Sequence, residues 1–185
     1  MTNLQQIGQI MTKFTSLLLF LVLFCSQSAY SAPKLLNNYQ NMNILAETLL
    51  NNPQPGKNMQ FIQFYEADDI SEKLYVYAPS KTYQNNTVKL MGSGADGVLY
   101  VYSNPKNKKL DLKQIVFVFL VNNQSKVDSI NNIAARIFEQ IPVEPKCDII
   151  GCVWKSEGFT VSIMRDEYSG SATVMIAESN LFKNR

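Results

Sequence analysis

Residues 115–141 read IVFVFLVNNQSKVDSINNIAARIFEQI. The first seven, Ile115–Val121, are an unbroken apolar run of β-branched and aromatic residues, the composition of a strand. After two asparagines the period changes. Val127, Ile130, Ile133, Ala134, Ile137, Phe138 and Ile141 recur at three- and four-residue spacing and make one stripe of an amphipathic helix. Ser125 and Asp128 have the spacing of a capping box, with Asp in place of Glu. Pro142 ends the helix, because its ring cannot continue the hydrogen-bond ladder. A strand that is apolar on both sides predicts a sheet covered on both faces.

Working outward, the same two periods recur. Upstream, Gln60–Glu66 (QFIQFYE) and Lys73–Ala78 (KLYVYA) are β-prone. Thr87–Met91 and Val98–Tyr102 flank Gly92-Ser93-Gly94-Ala95-Asp96-Gly97 and predict a hairpin. Earlier still, Leu35, Tyr39, Met42, Leu45, Ala46 and Leu49 predict a helix over 35–50, stopped by Asn51-Asn52-Pro53. Downstream, Phe159–Arg165 and Ala172–Ala177 alternate, with Asp166–Gly170 as the connecting loop. Runs of strands without strand–helix alternation predict an α+β fold. It comprises an N-terminal helix, a mostly antiparallel sheet of about seven strands, and a second helix inserted before the last hairpin.

Composition bounds the function. A chain of 185 residues with 46% apolar residues can build one domain with a real core. A net charge of +2 with 17% charged residues gives no electrostatic reason to expect nucleic acid or an anionic membrane as partner. There is no histidine, which removes Ser-His and Cys-His mechanisms and His-ligated metal sites. No catalytic residue, metal site or cofactor is expected.

Phe14–Phe24 (FTSLLLFLVLF) is too short to span a bilayer, which takes about 20 residues, but suits the apolar core of a secretory signal. Lys13 supplies the preceding positive charge, and Ala29 and Ser31 suit the −3 and −1 positions of a cleavage site. The expected layout is a signal peptide over 1–31 and one domain over 32–185, with Met11 an alternative start. An uncleaved anchor and a lipoprotein acylated at Cys25 are rival readings; Phe24 stands where lipoprotein signals carry a small residue. The expected location is outside the cytoplasm: the periplasm in a Gram-negative host, otherwise secreted, with no stable membrane span once the signal is cleaved.

In that compartment Cys147 and Cys152 predict a disulfide. Two thiolates are half a zinc site, and four intervening residues do not match a thioredoxin-type redox pair. The glycines of 92–97 match a nucleotide fingerprint in spacing, but a strand-like segment follows where a helix is required. Glu66, Asp68, Asp69 and Glu72 lack calcium-loop spacing and read as a solvated turn. Ser103 and Lys106 match S-x-x-K, but Pro105 argues against the helix that motif needs. Lys106, Lys108, Lys109 and Lys113 read as a solvated basic edge. Asn85-Asn86-Thr87 and Asn123-Gln124-Ser125 are glycosylation acceptors only in a host that glycosylates exported proteins.

Leu74-Tyr75-Val76-Tyr77 recurs as Leu99-Tyr100-Val101-Tyr102. Alternate side chains of a strand point to opposite faces. Leu74, Val76, Leu99 and Val101 are expected in the core, which leaves Tyr75, Tyr77, Tyr100 and Tyr102 on a possible binding face. The competing reading buries these tyrosines under the first helix. The functional expectation is an exported, non-enzymatic domain that binds another protein, as an inhibitor, toxin-immunity protein or envelope accessory factor. The alternatives are a small-ligand or lipid binder and a carboxylate-dependent envelope hydrolase.

Overall fold

In the computed structural model, residues 35–66, 73–80, 88–104, 109–166 and 168–179 are described. The expected signal segment over 1–31 lies outside them. So do Asp68, Asp69 and Glu72 of the acidic cluster, the acceptor 85–87, and Pro105, Lys106 and Lys108. In chain order the elements are β1 (Asn38–Tyr39), α1 (Met42–Asn51), β2 (Met59–Glu66), β3 (Lys73–Pro79), β4 (Lys89–Leu90), β5 (Ser93–Gly94) and β6 (Gly97–Ser103). There follow β7 (Asp111–Leu120), α2 (Gln124–Gln140), β8 (Lys146–Cys147), β9 (Gly151–Lys155), β10 (Phe159–Asp166) and β11 (Ser171–Glu178).

The fold is α+β, but its principal sheet has eight strands rather than about seven, in the order β2-β3-β6-β7-β11-β10-β9-β8. Every pairing in it is antiparallel. Two four-stranded meanders, each preceded by a helix, meet where β7 pairs with β11. The sequence reading missed β8 and β9. The cysteine segment is not a link before the last hairpin; it is the turn of a further hairpin, with Cys147 directly opposite Cys152. Two- and five-residue strands are too short to show alternation.

A smaller sheet, β1-β4-β5, sits beside it. Val98–Tyr102 does not pair with Thr87–Met91 as expected. Leu90 pairs with Ser93 across Met91 and Gly92, whose φ angles of 49° and 89° are the left-handed pair that a two-residue hairpin requires. β6 is thereby released to pair with β3 and β7.

Both helices begin elsewhere than expected. α1 starts at Met42, not near Leu35, because the Asn41 side chain caps it by accepting the Ile44 N–H, and Asn38–Tyr39 is drawn into the small sheet. Asn52, left-handed at φ 47°, closes its other end before Pro53. α2 is capped by Asn123, whose side chain accepts the Lys126 N–H, and not by Ser125. The helices meet where the Gln140 side chain of α2 accepts the Met42 N–H, an otherwise unpartnered donor of the first turn of α1.

Met42, Leu45 and Leu49 of α1 and Ile130, Ile133 and Ile137 of α2 pack into one core with Tyr100, Tyr102, Ile115, Phe117, Phe119, Trp154, Val161, Val174 and Ile176. Among the described residues, the two faces of Ile115–Val121 are buried to different degrees. Ile115, Phe117 and Phe119 face the helices and are fully buried, while Val116 and Val118 are only half-buried. Among the described residues, the far side carries a second buried cluster of strand residues: Leu74, Val76 and Val101, with Leu99 and Val116 packed against it. This division predicts that Phe117→Ala costs about 3–5 kcal/mol of stability. Val118→Ala, on the other face of the same strand, costs about 1 kcal/mol or less. Equilibrium urea unfolding of both variants checks the difference.

Candidate functional site

The two LYVY segments lie side by side on β3 and β6, with Tyr75 opposite Tyr102 and Tyr77 opposite Tyr100. The four tyrosines therefore share one face. It is the helix-covered face: Tyr100 and Tyr102 lie in the main core, while Leu74, Val76 and Val101, buried as expected, form a second core cluster on the far side. Tyr75 and Tyr77 are half-buried. The pair on β6 and the pair on β3 thus differ in role.

Tyr100 and Tyr102 hold the core together. The Tyr39 and Tyr100 hydroxyls lie 3.3 Å apart, and the Tyr39 ring meets Phe117 edge-on at 5.3 Å. The Tyr102 hydroxyl donates to the Pro53 carbonyl at 2.9 Å. That anchors the chain leaving α1, which the Asn52 side chain also ties to β7 by accepting the Leu112 N–H. Burial pushes the ionisation of Tyr39, Tyr100 and Tyr102 above the ordinary tyrosine range.

Tyr77 leads outward. Its ring packs edge-on against Tyr102 at 5.6 Å on one side and against Phe61 at 5.7 Å on the other. Phe61 lies 6.3 Å from Tyr75, and Tyr75 lies 6.4 Å from Phe64. The Lys73 ammonium closes the row 5.2 Å above the Phe64 ring while bonding Glu66 at 2.9 Å. Phe61 and Phe64 are 48% and 55% exposed. A continuous row of aromatic side chains therefore runs from the core to the open edge of the sheet.

Phe61 and Phe64 were not among the residues singled out from sequence. Three residues apart on a regular strand, they would point to opposite faces. The register of β2 on β3 shifts between Phe61 and Gln63, and this bulge returns both to the tyrosine side, opposite Tyr77 and Tyr75. The row stays bare because of size. Eight strands at about 4.8 Å spacing make a sheet roughly 34 Å wide, and two helices about 10 Å across cannot cover it. α1 lies over β7 and β11. α2 reaches β10, where Asn131 accepts a 2.6 Å hydrogen bond from Arg165. Among the described residues, neither helix bonds to β2 or β3.

The opposite edge is closed differently. Cys147 and Cys152 form a disulfide across the β8–β9 hairpin, with their Cα atoms 4.1 Å apart. The Asp148 carboxylate accepts the N–H groups of Ile150 and Gly151 at 2.8 and 2.9 Å, and these bonds hold it below the usual carboxylate range. A Cβ on Gly151 would strike the Ile163 carbonyl, so only glycine fits there. Ile149 at the tip is fully exposed.

Beside Glu66, three further described carboxylates are engaged with lysines. Lys113 lies between Asp111 and Glu178 at 2.6 and 2.8 Å, and Lys126 bonds Asp96 at 2.9 Å. Among the described residues no three metal-capable side chains cluster, and no helix is long and apolar enough to cross a membrane. No family model matches the chain, and neither a curated protein nor a solved structure does.

The buried hydroxyls make stability pH-dependent. With the native ionisation of Tyr39, Tyr100 and Tyr102 raised, their contribution is complete below about pH 10, where unfolded tyrosine begins to ionise, and is lost as pH rises toward the native values. Each such tyrosine is expected to cost about 1.4 kcal/mol per pH unit above that point. Denaturation between pH 8 and 11.5, followed with tyrosinate absorbance, measures the slope, which Tyr100→Phe reduces. Separately, reduction of Cys147–Cys152 is expected to cost about 2 kcal/mol, since the closed loop is short. Denaturation with and without reductant at fixed pH checks it.

Proposed function

We propose that this chain is an exported, non-enzymatic domain that binds another protein through the β2–β3 aromatic surface. The observation that carries the reading is the half-exposed row of Phe61, Phe64, Tyr75 and Tyr77, continuous with the buried Tyr102. Aromatic side chains rooted in a core are rigid, so little side-chain entropy is lost when a partner covers them. Tyrosine and phenylalanine are also the residues that dominate protein interfaces. The disulfide fits an oxidising compartment, as does the signal-like segment Phe14–Phe24. Within that class, inhibitor, toxin-immunity and envelope-accessory roles share this requirement for an exposed apolar patch.

The space between sheet and helices is filled by Tyr39, Tyr100, Tyr102, Phe117 and Phe119, which weighs against a lipid or small ligand held there. The lysine pairing of Asp96, Asp111 and Glu178 weighs against these three as the free carboxylates of a hydrolase.

Crosslinking in intact cells of the native host, followed by capture of the tagged chain from the envelope fraction, tests the reading. The expected result is a defined protein adduct that Phe64→Ala with Tyr75→Ala reduces at least tenfold while leaving the melting temperature within a few degrees. Tyr100→Ala serves as the contrast: it is expected to destabilise by about 3–5 kcal/mol. An adduct unaffected by the Phe64/Tyr75 pair overturns the assignment of this surface.

A further inference from the structure

The sheet has two ends of opposite character. β8 has two residues, one of them Lys146, and is clamped to β9 by the disulfide. Short length and a lysine are the usual protections of an edge against stray pairing. β2 has eight residues, Met59–Glu66, with neither lysine nor proline among them. Its only charged residue, Glu66, is engaged by Lys73 of the neighbouring strand. Among the described residues, no strand pairs with its outer side. A row of backbone N–H and C=O groups therefore faces outward, beside the exposed Phe61, Ile62 and Phe64. Those groups are satisfied in a dry interface only by another extended chain, since side chains do not repeat at the spacing of a ladder.

We propose that β2 receives an extended segment of the partner protein as a ninth strand. This rests on the reading of the β2–β3 surface as the interface and adds the form of what binds there. The chemistry of the edge specifies the segment further. Its residues on the tyrosine side lie beside Phe61 and Phe64, so they are apolar or aromatic. The edge offers no free charge along Met59–Tyr65, so the segment is uncharged over that length. A second copy of this chain is a poorer occupant. Pairing the full length of β2 with its own copy, antiparallel, places the two-fold axis between Ile62 and Gln63. The bulges of both strands would then meet at the centre of the new ladder.

The test uses the full chain, with its disulfide oxidised, against a display library of random linear octapeptides. The expected binders alternate apolar residues, lack charge in the middle, and slow hydrogen exchange of the β2 amides at least tenfold. The same peptides methylated at alternate backbone nitrogens are expected to bind at least tenfold more weakly. So is the parent peptide to the Gln60→Lys/Gln63→Lys variant, whose substitutions fall on exposed positions and leave melting unchanged. Binding that Phe64→Ala abolishes, but that backbone methylation and β2 exchange do not register, overturns strand addition and leaves the aromatic surface standing. A concentration-dependent dimer that protects the β2 amides assigns the edge to a second copy and overturns the proposal. A selection that yields no peptide protecting β2 also overturns it.

Discussion

Everything in this molecule rests on the pairing of β7 with β11. These strands come from different meanders, separated by α2 and three strands, and they run together from Ser171 opposite Leu120 to Ala177 opposite Gln114. The pairing sets Ile115, Phe117 and Phe119 beside Val174 and Ile176 on one face and so creates a surface wide enough for both helices. Without it each half is a four-stranded meander with one helix, its apolar face largely exposed. Because the contact joins distant parts of the chain, its loop-closure entropy is met only when the whole inner face can be buried. The central strands and the two helices therefore depend on one another.

The same geometry explains where the fold is complete and where it is not. Cover is greatest over the junction and falls away toward β2. Tyr102 is the last aromatic residue sealed by the main chain, through Pro53; beyond it Tyr77 and Tyr75 are half-buried and Phe61 and Phe64 exposed. The exposed aromatics are thus the outer margin of the core itself and inherit its rigidity. At the other margin, the strands are short and a covalent bond does the work that packing cannot, since Lys146 and Cys147 bury nothing substantial.

Much of this is legible in the sequence. Proline and asparagine end the helices at Pro53 and Pro142 because their backbone chemistry is local. The apolar stripe of α2 was visible because its period of 3.6 persists over seventeen residues. The cysteine pair was visible because proximity in sequence constrains proximity in space. Other features were not readable for an equally physical reason. The strand at Asn38–Tyr39 overrides a helical pattern by pairing with Lys89–Leu90, some fifty residues away. The bulge at β2 exists only in relation to β3, so the shared face of Phe61 and Phe64 could not be read from QFIQFYE.

The sequence by itself determined the two sides of each strand: period-two alternation separates Tyr75 and Tyr77 from Leu74 and Val76, and Tyr100 and Tyr102 from Leu99 and Val101, while the pairing that puts all four tyrosines on one face is tertiary. It did not determine which side the helices cover, because both are apolar enough to be buried. The tertiary structure decided that when α1, the Pro53 turn and Tyr39 closed over the tyrosine side. Burial there satisfies the Tyr100 and Tyr102 hydroxyls with partners from distant segments, and a buried hydroxyl without a partner is costly. Leucine and valine make no such demand, and Leu74, Val76 and Val101 form the buried cluster of the other face.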